Sequence, residues 1–191
     1  MNKTICVYSS SSDSIDSIYF KIAGEIGKAI ALNKDTLLFG GGMRGLMGAT
    51  ATAAHAHGGS VIGVIPEMLN LKGVVYESCD ELIVTEDMRK RKSIMDSRSD
   101  AFIALPGGFG TYEELLEIIT LKQLKYHNKP VVLLNVNGYY DSLLKQFDIT
   151  IDQHFAKAES CLLYYVTEDV SDALDYIENY KPTQFKDKWL T

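Results

Sequence analysis

The sequence contains little cysteine and no excess of positive charge. Cys6, Cys79 and Cys161 are far apart, and none has a metal-binding spacing with the four histidines. Reduced thiols and no metal centre are therefore expected. The net charge is −6, from 19 Lys and Arg against 25 Asp and Glu. The chain therefore lacks the excess of positive charge that proteins use to bind nucleic acid, and no nucleic-acid partner is expected.

Long apolar runs are also missing. No apolar segment approaches the roughly 20 residues that span a bilayer, and the first residues lead directly into a strand-like run. We therefore expect a soluble cytoplasmic protein that does not bind membranes. The chain has 191 residues, of which 46% are hydrophobic, enough for one core and one domain over residues 1–180. Residues 181–191 are expected to form a polar C-terminal tail.

Short β-rich runs alternate with helical patterns along most of the chain. Strands are predicted at Thr4–Tyr8, Thr36–Phe39, Ser60–Ile65, Glu81–Val84, Ala101–Leu105, Pro130–Leu134 and Leu162–Val166. Helices are predicted at Ile15–Leu32, Gly45–His57, Met88–Ser97, Thr111–Lys125, Tyr139–His154 and Asp169–Asn179. Near-continuous apolar strands separated by helices predict an α/β fold, a doubly wound (Rossmann-like), mostly parallel sheet with helices on both faces. Ligands of such sheets bind beyond the carboxyl ends of the strands, where the strand order reverses.

The most informative of the loops that follow strands is Pro106-Gly107-Gly108-Phe109-Gly110-Thr111-Tyr112-Glu113-Glu114. Its glycines let backbone N–H groups approach an anion, and the positive end of the following helix favours negative charge. We expect Thr111 to cap this helix and both acids to occupy its first turn. The segment therefore predicts a phosphate site with an adjacent carboxylate.

Two other loops follow predicted strands. The segment Gly40–Gly48 matches a dinucleotide-binding fingerprint, but the acid expected about 20 residues later is poorly placed. Its glycines, including Gly41 and Gly42, either contact a phosphate or permit tight packing of a strand against a helix. The hydroxyls of Ser9–Ser12, with Ser10 and Ser11 as the candidate ligands, either bind a phosphate or cap the next helix.

Arg91 is the basic residue expected to face inward. It belongs to the run Arg89–Lys92, three residues after Met88 and four before Met95, which places it on the apolar stripe of its helix. An inward arginine needs an anionic partner, because an unpaired buried charge is costly. Arg91 is therefore predicted to serve a ligand or active site, although such runs are usually solvated helix faces.

Glu114 is the acid expected to face inward. It shares a helical stripe with Ile118 and Leu121, whereas Glu113 lies on a polar stripe. Burial would raise the pKa of Glu114, and the helix N-terminus and a nearby arginine would lower it, so we expect it to be ionised at neutral pH. The alternative is that both acids only complement the helix dipole.

Four ordered motifs carry a family resemblance. They are Gly40-Gly41-Gly42-x-x-Gly45-Leu46-Met47-Gly48, Met88-x-x-Arg91-Lys92, Ser99–Leu105 and Pro106-Gly107-Gly108-x-Gly110-Thr111-x-x-Glu114. Together they resemble the LOG (LONELY GUY) family of cytokinin-activating phosphoribohydrolases, long mislabelled as lysine decarboxylases. The similarity continues through Lys129–Tyr140 and so covers nearly the whole chain.

The resemblance implies an enzyme that hydrolyses the N-glycosidic bond of a nucleoside 5′-monophosphate, either AMP or an N6-prenylated adenosine monophosphate. The products would be the free base and ribose 5-phosphate. It also implies no cofactor, and a homodimer with the site near the subunit interface. It assigns catalysis to Arg91 and Glu114. It assigns the substrate site to Lys92, Gly107, Gly108, Phe109, Gly110, Thr111, Glu113 and Thr120.

Cleavage of a ribosyl C–N bond develops positive charge on the sugar. An ionised Glu114 could stabilise that charge or orient the attacking water, and the sequence leaves both roles open. Two departures from the family pattern predict altered base or ribose recognition. Ser9–Ser12 replaces the frequent Cys-Gly-Ser-Ser, and Gly73 falls where many members carry a glutamate.

Two other functions are compatible with part of the pattern. A non-catalytic carrier of a nucleotide or a molybdenum-cofactor-like ligand would use the same glycine loops, but it has no need of the pair Arg91 and Glu114. A pyridoxal-phosphate-dependent lysine decarboxylase is disfavoured, because Lys92 lies in a basic helix with no evident partner for the pyridinium nitrogen. The apolar helix Leu115–Leu124 could serve either a dimer or the core.

Overall fold

The computed structural model describes residues 2–182. Within them the strands are β1 (Thr4–Tyr8), β2 (Thr36–Phe39), β3 (Ser60–Pro66), β4 (Glu81–Thr85), β5 (Ala101–Ala104), β6 (Val131–Leu134) and β7 (Tyr165–Thr167). The α-helices are α1 (Ser17–Leu32), α2 (Gly45–Ala56), α3 (Met88–Arg98), α4 (Phe109–Gln123), α5 (Asp141–Asp152) and α6 (Val170–Glu178). Apart from residues 181 and 182, the predicted tail lies outside the described residues.

All seven strands form one parallel sheet in the order β4-β3-β2-β1-β5-β6-β7. This arrangement confirms the predicted doubly wound fold. The strand order reverses between β1 and β5, which are adjacent in the sheet although β2, β3 and β4 lie between them in sequence. The loops that leave these two strands stay together, since the Ser10 amide donates a hydrogen bond to the Pro106 carbonyl at 3.3 Å.

Each face of the sheet is covered by three helices. Ile5 and Val7 of β1 pack on one face with buried residues of α1, α2 and α6. Cys6 and Tyr8 pack on the other face with residues of α3, α4 and α5. This alternation of side chains along a strand buried on both faces explains the continuous apolar sequence of β1. No helix in the part of the chain described by the structure is both long and apolar enough to cross a bilayer.

Several predicted boundaries differ from the structure by one to three residues, and two of them have a clear local cause. Residues Ala158–Leu163 form a 3-10 helix, so β7 begins at Tyr165 instead of Leu162. Helix α4 begins at Phe109 with Gly108 at the N-cap, so Thr111 is its third residue and both acids lie in the second turn. Glycine is an accepted N-cap residue, and here it needs no side-chain hydrogen bond to start the helix.

Candidate functional site

A cleft of about 620 Å³ opens at the reversal of strand order. The loops after β1, β2 and β5 form its walls, together with residues of α2, α3, α4 and the β3–β4 connection. Its lining residues are Ser9, Ser10, Ser11, Ser12, Gly40, Gly42, Arg44, Met47, Ile65, Leu69, Val74, Met88, Arg91, Gly108, Phe109, Gly110, Thr111 and Glu114. The structure thus brings together three loops that are distant in sequence, at the place where doubly wound sheets bind ligands.

Arg91 reaches the cleft from α3 and is held by two directed hydrogen bonds. Its Nε donates to the Val64 carbonyl at 2.9 Å, and its Nη1 donates to Glu114 Oε1 at 2.6 Å. Both charged side chains are buried, with Arg91 7% and Glu114 8% exposed. The partner that the sequence requires for an inward arginine is therefore the carboxylate of α4. Charge-assisted hydrogen bonds of this kind fix the guanidinium in one orientation.

Gly40 has a structural role that sequence reasoning missed. A Cβ at this position would overlap the Arg91 Nη2 atom and lie 3.0 Å from the Met47 sulfur. The absence of a side chain at the end of β2 therefore makes room for the guanidinium. The φ angle of Gly40 lies outside the left-handed range that favours glycine, so only this close approach explains the residue.

The pKa of Glu114 lies above the ordinary glutamate value of 4.5. Burial is the main cause, because it penalises the charged form, and the adjacent Arg91 opposes the shift. Cys6 and Tyr8 lie beneath the pair in β1, and burial raises the pKa of the Cys6 thiol to about 12 and that of the Tyr8 phenol well above its usual value. Of these three buried groups, Glu114 is the one whose charged form accepts a hydrogen bond from the Arg91 guanidinium.

The N-terminus of α4 presents backbone donors to the cleft. Among the described residues, the amides of Phe109, Gly110 and Thr111 make no hydrogen bond to any acceptor, and the first such bond of this helix runs from Tyr112 to the Gly108 carbonyl. Gly108 and Gly110 have open space where a side chain would project. Unpaired donors at a helix N-terminus favour an anion, as the glycine-rich sequence predicts.

Gly107 and Gly108 provide a matched pair of substitutions. A Cβ on Gly107 would lie 2.6 Å from Thr111 Cβ, whereas one on Gly108 would meet nothing within 4 Å. We expect Gly107→Ala to lower the free energy of unfolding by about 1–3 kcal/mol, because the first turn of α4 must shift. Gly108→Ala should change it by less than about 1 kcal/mol. Urea unfolding of both variants checks this, and equal losses would contradict it.

The Gly40–Gly48 loop uses its amides differently. The Gly45 amide donates to Asp13 Oδ1 at 2.8 Å, and those of Leu46 and Met47 donate to the Ser10 carbonyl at 2.9 and 3.4 Å. The first donors of α2 are thus occupied by the β1–α1 loop. This geometry favours the packing interpretation of the loop over phosphate binding.

The two glycines proposed as phosphate ligands in this loop differ in position. Gly41, with φ at +74°, packs against β3, where a Cβ would lie 3.0 Å from the Ile65 Cβ, and it does not line the cleft. Gly42 lines the cleft and forms an antiparallel bridge with Val75. Both glycines therefore allow close backbone packing, Gly41 against β3 and Gly42 against the segment at Val75.

The serines after β1 do not cap α1. Asp16 is the cap, since its Oδ1 accepts a hydrogen bond from the Ile18 amide at 3.0 Å. Ser10 and Ser11 both line the cleft. The Ser10 Oγ accepts a hydrogen bond from the Ser12 amide at 3.0 Å and so shapes the loop itself. The capping interpretation is wrong, and a ligand-binding role for this loop stays a prediction.

Three other predicted substrate residues lie outside the cleft lining, as does Gly107. Lys92 forms ion pairs with Glu113 and with Glu117, the latter at 3.0 Å. Thr120 lies further along α4, where its hydroxyl donates to the Leu116 carbonyl at 2.7 Å. In this structure Lys92 and Glu113 join α3 to α4 beside the buried Arg91–Glu114 pair. Their contact with substrate stays a prediction.

Comparison with known proteins connects this site to a family. The family model described as "Possible lysine decarboxylase" matches residues 47–177. An Arabidopsis thaliana protein named probable cytokinin riboside 5′-monophosphate phosphoribohydrolase LOG6 is 47% identical over 153 residues, which are 80% of this chain and 76% of that protein. The Arabidopsis thaliana LOG5 protein, named cytokinin riboside 5′-monophosphate phosphoribohydrolase, is 41% identical over 180 residues, which are 94% of this chain and 79% of that protein.

Solved structures share the fold. The molybdenum cofactor carrier protein of Chlamydomonas reinhardtii superimposes with a TM-score of 0.71 at 26% identity, covering 93% of this chain and 97% of that one. Its identity is lower than that of the plant relatives, although the coverage is similar. From the family match, the identities and the motifs at the cleft, the chain belongs to the LOG family, the group whose model is described as possible lysine decarboxylase.

Proposed function

We propose that the protein hydrolyses the N-glycosidic bond of a nucleoside 5′-monophosphate, releasing a free base and ribose 5-phosphate. The observation that carries this proposal is the buried Arg91–Glu114 pair, joined at 2.6 Å in the wall of the cleft. The plant relatives that share 41–47% identity are named as phosphoribohydrolases of cytokinin riboside 5′-monophosphates. AMP and N6-prenylated adenosine monophosphate are the substrates to test.

The cleft supplies groups for each part of such a substrate. The free amides of Phe109, Gly110 and Thr111 suit the 5′-phosphate, because they combine donors with the positive end of α4. Glu114 follows one helical turn later, so a sugar held by its phosphate would lie beside the carboxylate. There an ionised Glu114 would stabilise the positive charge of the oxocarbenium-like sugar or orient water, and Arg91 would fix its position.

Carriage of a ligand without cleavage is the second candidate, favoured by the likeness to the molybdenum cofactor carrier protein. The glycine loops would serve a carrier equally well. The buried carboxylate argues against it, since placing Glu114 at 8% exposure raises its pKa and has a cost that anion binding does not require. Hydrolysis explains why a carboxylate stands beside an anion-binding turn.

Release of base tests the proposal directly. The protein is incubated with AMP, with N6-isopentenyl-AMP and with the corresponding nucleosides, and the products are separated by chromatography. Free base from a monophosphate, with slower release from its nucleoside, would support a phosphoribohydrolase. Recovery of every nucleotide intact, with binding still measurable by calorimetry, would favour the carrier.

Arg44 is expected to provide the uncompensated charge of the cleft. Arg91 is paired with Glu114, whereas Arg44 is exposed in the lining and forms no ion pair among the described residues. Arg44→Ala should therefore raise KM for AMP by about 5- to 20-fold and weaken its dependence on salt, with little change in Tm. Steady-state kinetics at two salt concentrations checks this, with exposed Lys28→Ala as control. An unchanged KM would exclude the contact.

We also propose a cytoplasmic homodimer. Cys6, Cys79 and Cys161 are all free thiols, which suits a reducing compartment. Leu116 of α4 and Leu124, its C-cap residue, are 41% and 39% exposed, and such exposed apolar side chains suit a contact between subunits.

A further inference from the structure

The Ser9 hydroxyl is buried in the wall of the cleft without a hydrogen-bond partner. Ser9 is 9% exposed and lines the cleft, and its Oγ makes no hydrogen bond within residues 2–182. Lys122 Nζ is the other buried side-chain atom of this kind in those residues, but it lies 4.8 Å from the centroid of the Tyr180 ring. A cation–π contact compensates that lysine. The unpaired hydroxyl of Ser9 is the one that calls for a ligand.

Ser9 is placed where the sugar of a bound nucleotide would lie. It is the first residue after β1, at the reversal of strand order. The Leu105 amide donates to the Tyr8 carbonyl at 2.9 Å, and the Ser10 amide donates to the Pro106 carbonyl at 3.3 Å. These two bonds hold Ser9 against the turn that begins α4. A phosphate on the α4 amides and a scissile bond near Glu114 would place the ribose over this residue.

We propose that Ser9 is a substrate-binding residue whose hydroxyl pairs with a hydroxyl of the ribose, an inference that rests on the proposed function. Serine and ribose hydroxyls can each donate and accept, so one hydrogen bond satisfies both. The serine reaches the ligand by rotation about its Cα–Cβ bond, with no movement of the backbone. An analogue that lacks this hydroxyl would leave the buried serine unpaired, and such a site binds the analogue much more weakly than the true substrate. Ser9 therefore selects a sugar that carries the hydroxyl.

Removal of the hydroxyl should lower activity without lowering stability. Ser9→Ala should lower kcat/KM for AMP by about 3- to 10-fold, because one hydrogen bond to the substrate is lost. The Tm of the free protein should stay the same or rise by about 2 °C or more, because a buried unpaired hydroxyl is removed. A purely structural serine would instead lower Tm. Ser14→Ala, an exposed serine of the same loop, is the control and should change neither quantity.

Deoxynucleotides identify the contacted group. The ratio of kcat/KM between wild type and Ser9→Ala is measured with AMP, 2′-deoxy-AMP and 3′-deoxy-AMP. We expect the ratio of about 3 to 10 with AMP to fall below about 2 with the analogue that lacks the contacted hydroxyl. An equal ratio with all three substrates, or no effect of the substitution on AMP, would overturn the assignment.

Failure of the proposed function would be seen separately. If wild type releases no base from any nucleotide, hydrolysis is excluded whatever Ser9 does. Calorimetry with ribose 5-phosphate then tests Ser9 by itself. Binding that is about 3- to 10-fold weaker in Ser9→Ala supports the ribose contact, and equal binding overturns it.

Discussion

Glu114→Gln should abolish most nucleotide hydrolysis while the protein remains folded. Removing a group that stabilises charge in the transition state, or that orients water, typically costs about 100- to 1,000-fold in rate. Glutamine keeps the shape of the side chain and an oxygen that accepts from Arg91 Nη1, so we expect the free energy of unfolding to fall by only about 1–3 kcal/mol. Domains usually have about 5–15 kcal/mol of stability, so nearly all molecules would still be folded.

Glu117→Gln is the matched control for this substitution. Glu117 lies almost one turn further along α4 and pairs with Lys92 at 3.0 Å, with its side chain 39% exposed. Loss of an exposed ion pair has little effect on stability, typically below about 1 kcal/mol. Base release and thermal unfolding are measured on both variants. Equal activity of Glu114→Gln and wild type would remove Glu114 from the mechanism.

The pH dependence provides a second readout of the same residue. Because burial raises the pKa of Glu114 above 4.5, the rate should fall as the pH decreases through that raised pKa. The folded state binds this proton more tightly than the unfolded state, so the contribution of Glu114 to stability is largest at low pH and declines as the pH rises from 4.5 through the folded pKa. Protonation of Glu114 at low pH therefore does not destabilise the fold, so a fall in rate on acidification reports the loss of its charge and not unfolding caused by this group. The acid limb should be absent from the residual activity of Glu114→Gln.

Arg91→Met should lower the free energy of unfolding more than Glu114→Gln or Gly107→Ala does. The substitution leaves the Glu114 carboxylate buried at 8% exposure without its cation and the Val64 carbonyl without its donor. Breaking a buried ion pair from one side typically costs about 3–5 kcal/mol. Hydrolysis should also be lost, because Glu114 is no longer held in position. Arg89→Met is the control, since Arg89 is exposed on the same helix and should change stability by less than about 0.5 kcal/mol.

A double-mutant cycle separates the interaction energy between Arg91 and Glu114 from the separate contribution of each side chain to stability. Urea unfolding is measured for wild type, Arg91→Met, Glu114→Leu and the double variant. We expect the double variant to be about 1–3 kcal/mol more stable than the sum of the single losses predicts, because it leaves no unpaired buried charge. Additive losses would show that the two side chains contribute independently, against the contact at 2.6 Å.

The inward positions of Arg91 and Glu114 could be predicted from helical spacing. Each shares a stripe with apolar residues, and a charge on such a stripe needs a partner, so the sequence contains both halves of the pair. The parallel sheet could be predicted for a similar reason, because strands buried on both faces are apolar throughout. Local sequence pattern is sufficient here, because the periodicity of a helix marks its buried side and a run of apolar residues marks a strand buried on both faces.

The features that sequence did not reveal depend on tertiary contacts. Nothing near Gly40 in sequence indicates that Arg91 will occupy the space of its missing side chain. The sequence predicts Ser10 and Ser11 as the ligands, but which of the four consecutive hydroxyls is buried without a partner depends on how the loop folds around the turn that joins Ser10 to Ser12. The sequence predicts the start of α4 at Thr111 because threonine is a favourable N-cap residue, whereas the helix begins after Gly108.

The first measurement to make is a product balance with N6-isopentenyl-AMP. Wild type and Glu114→Gln are incubated with the nucleotide, and free base, ribose 5-phosphate and remaining nucleotide are each quantified. Hydrolysis of the N-glycosidic bond in the cleft predicts equal amounts of base and ribose 5-phosphate from wild type and about 100-fold slower release from the variant. Nucleotide recovered intact from both proteins, or equal release by both, would contradict it.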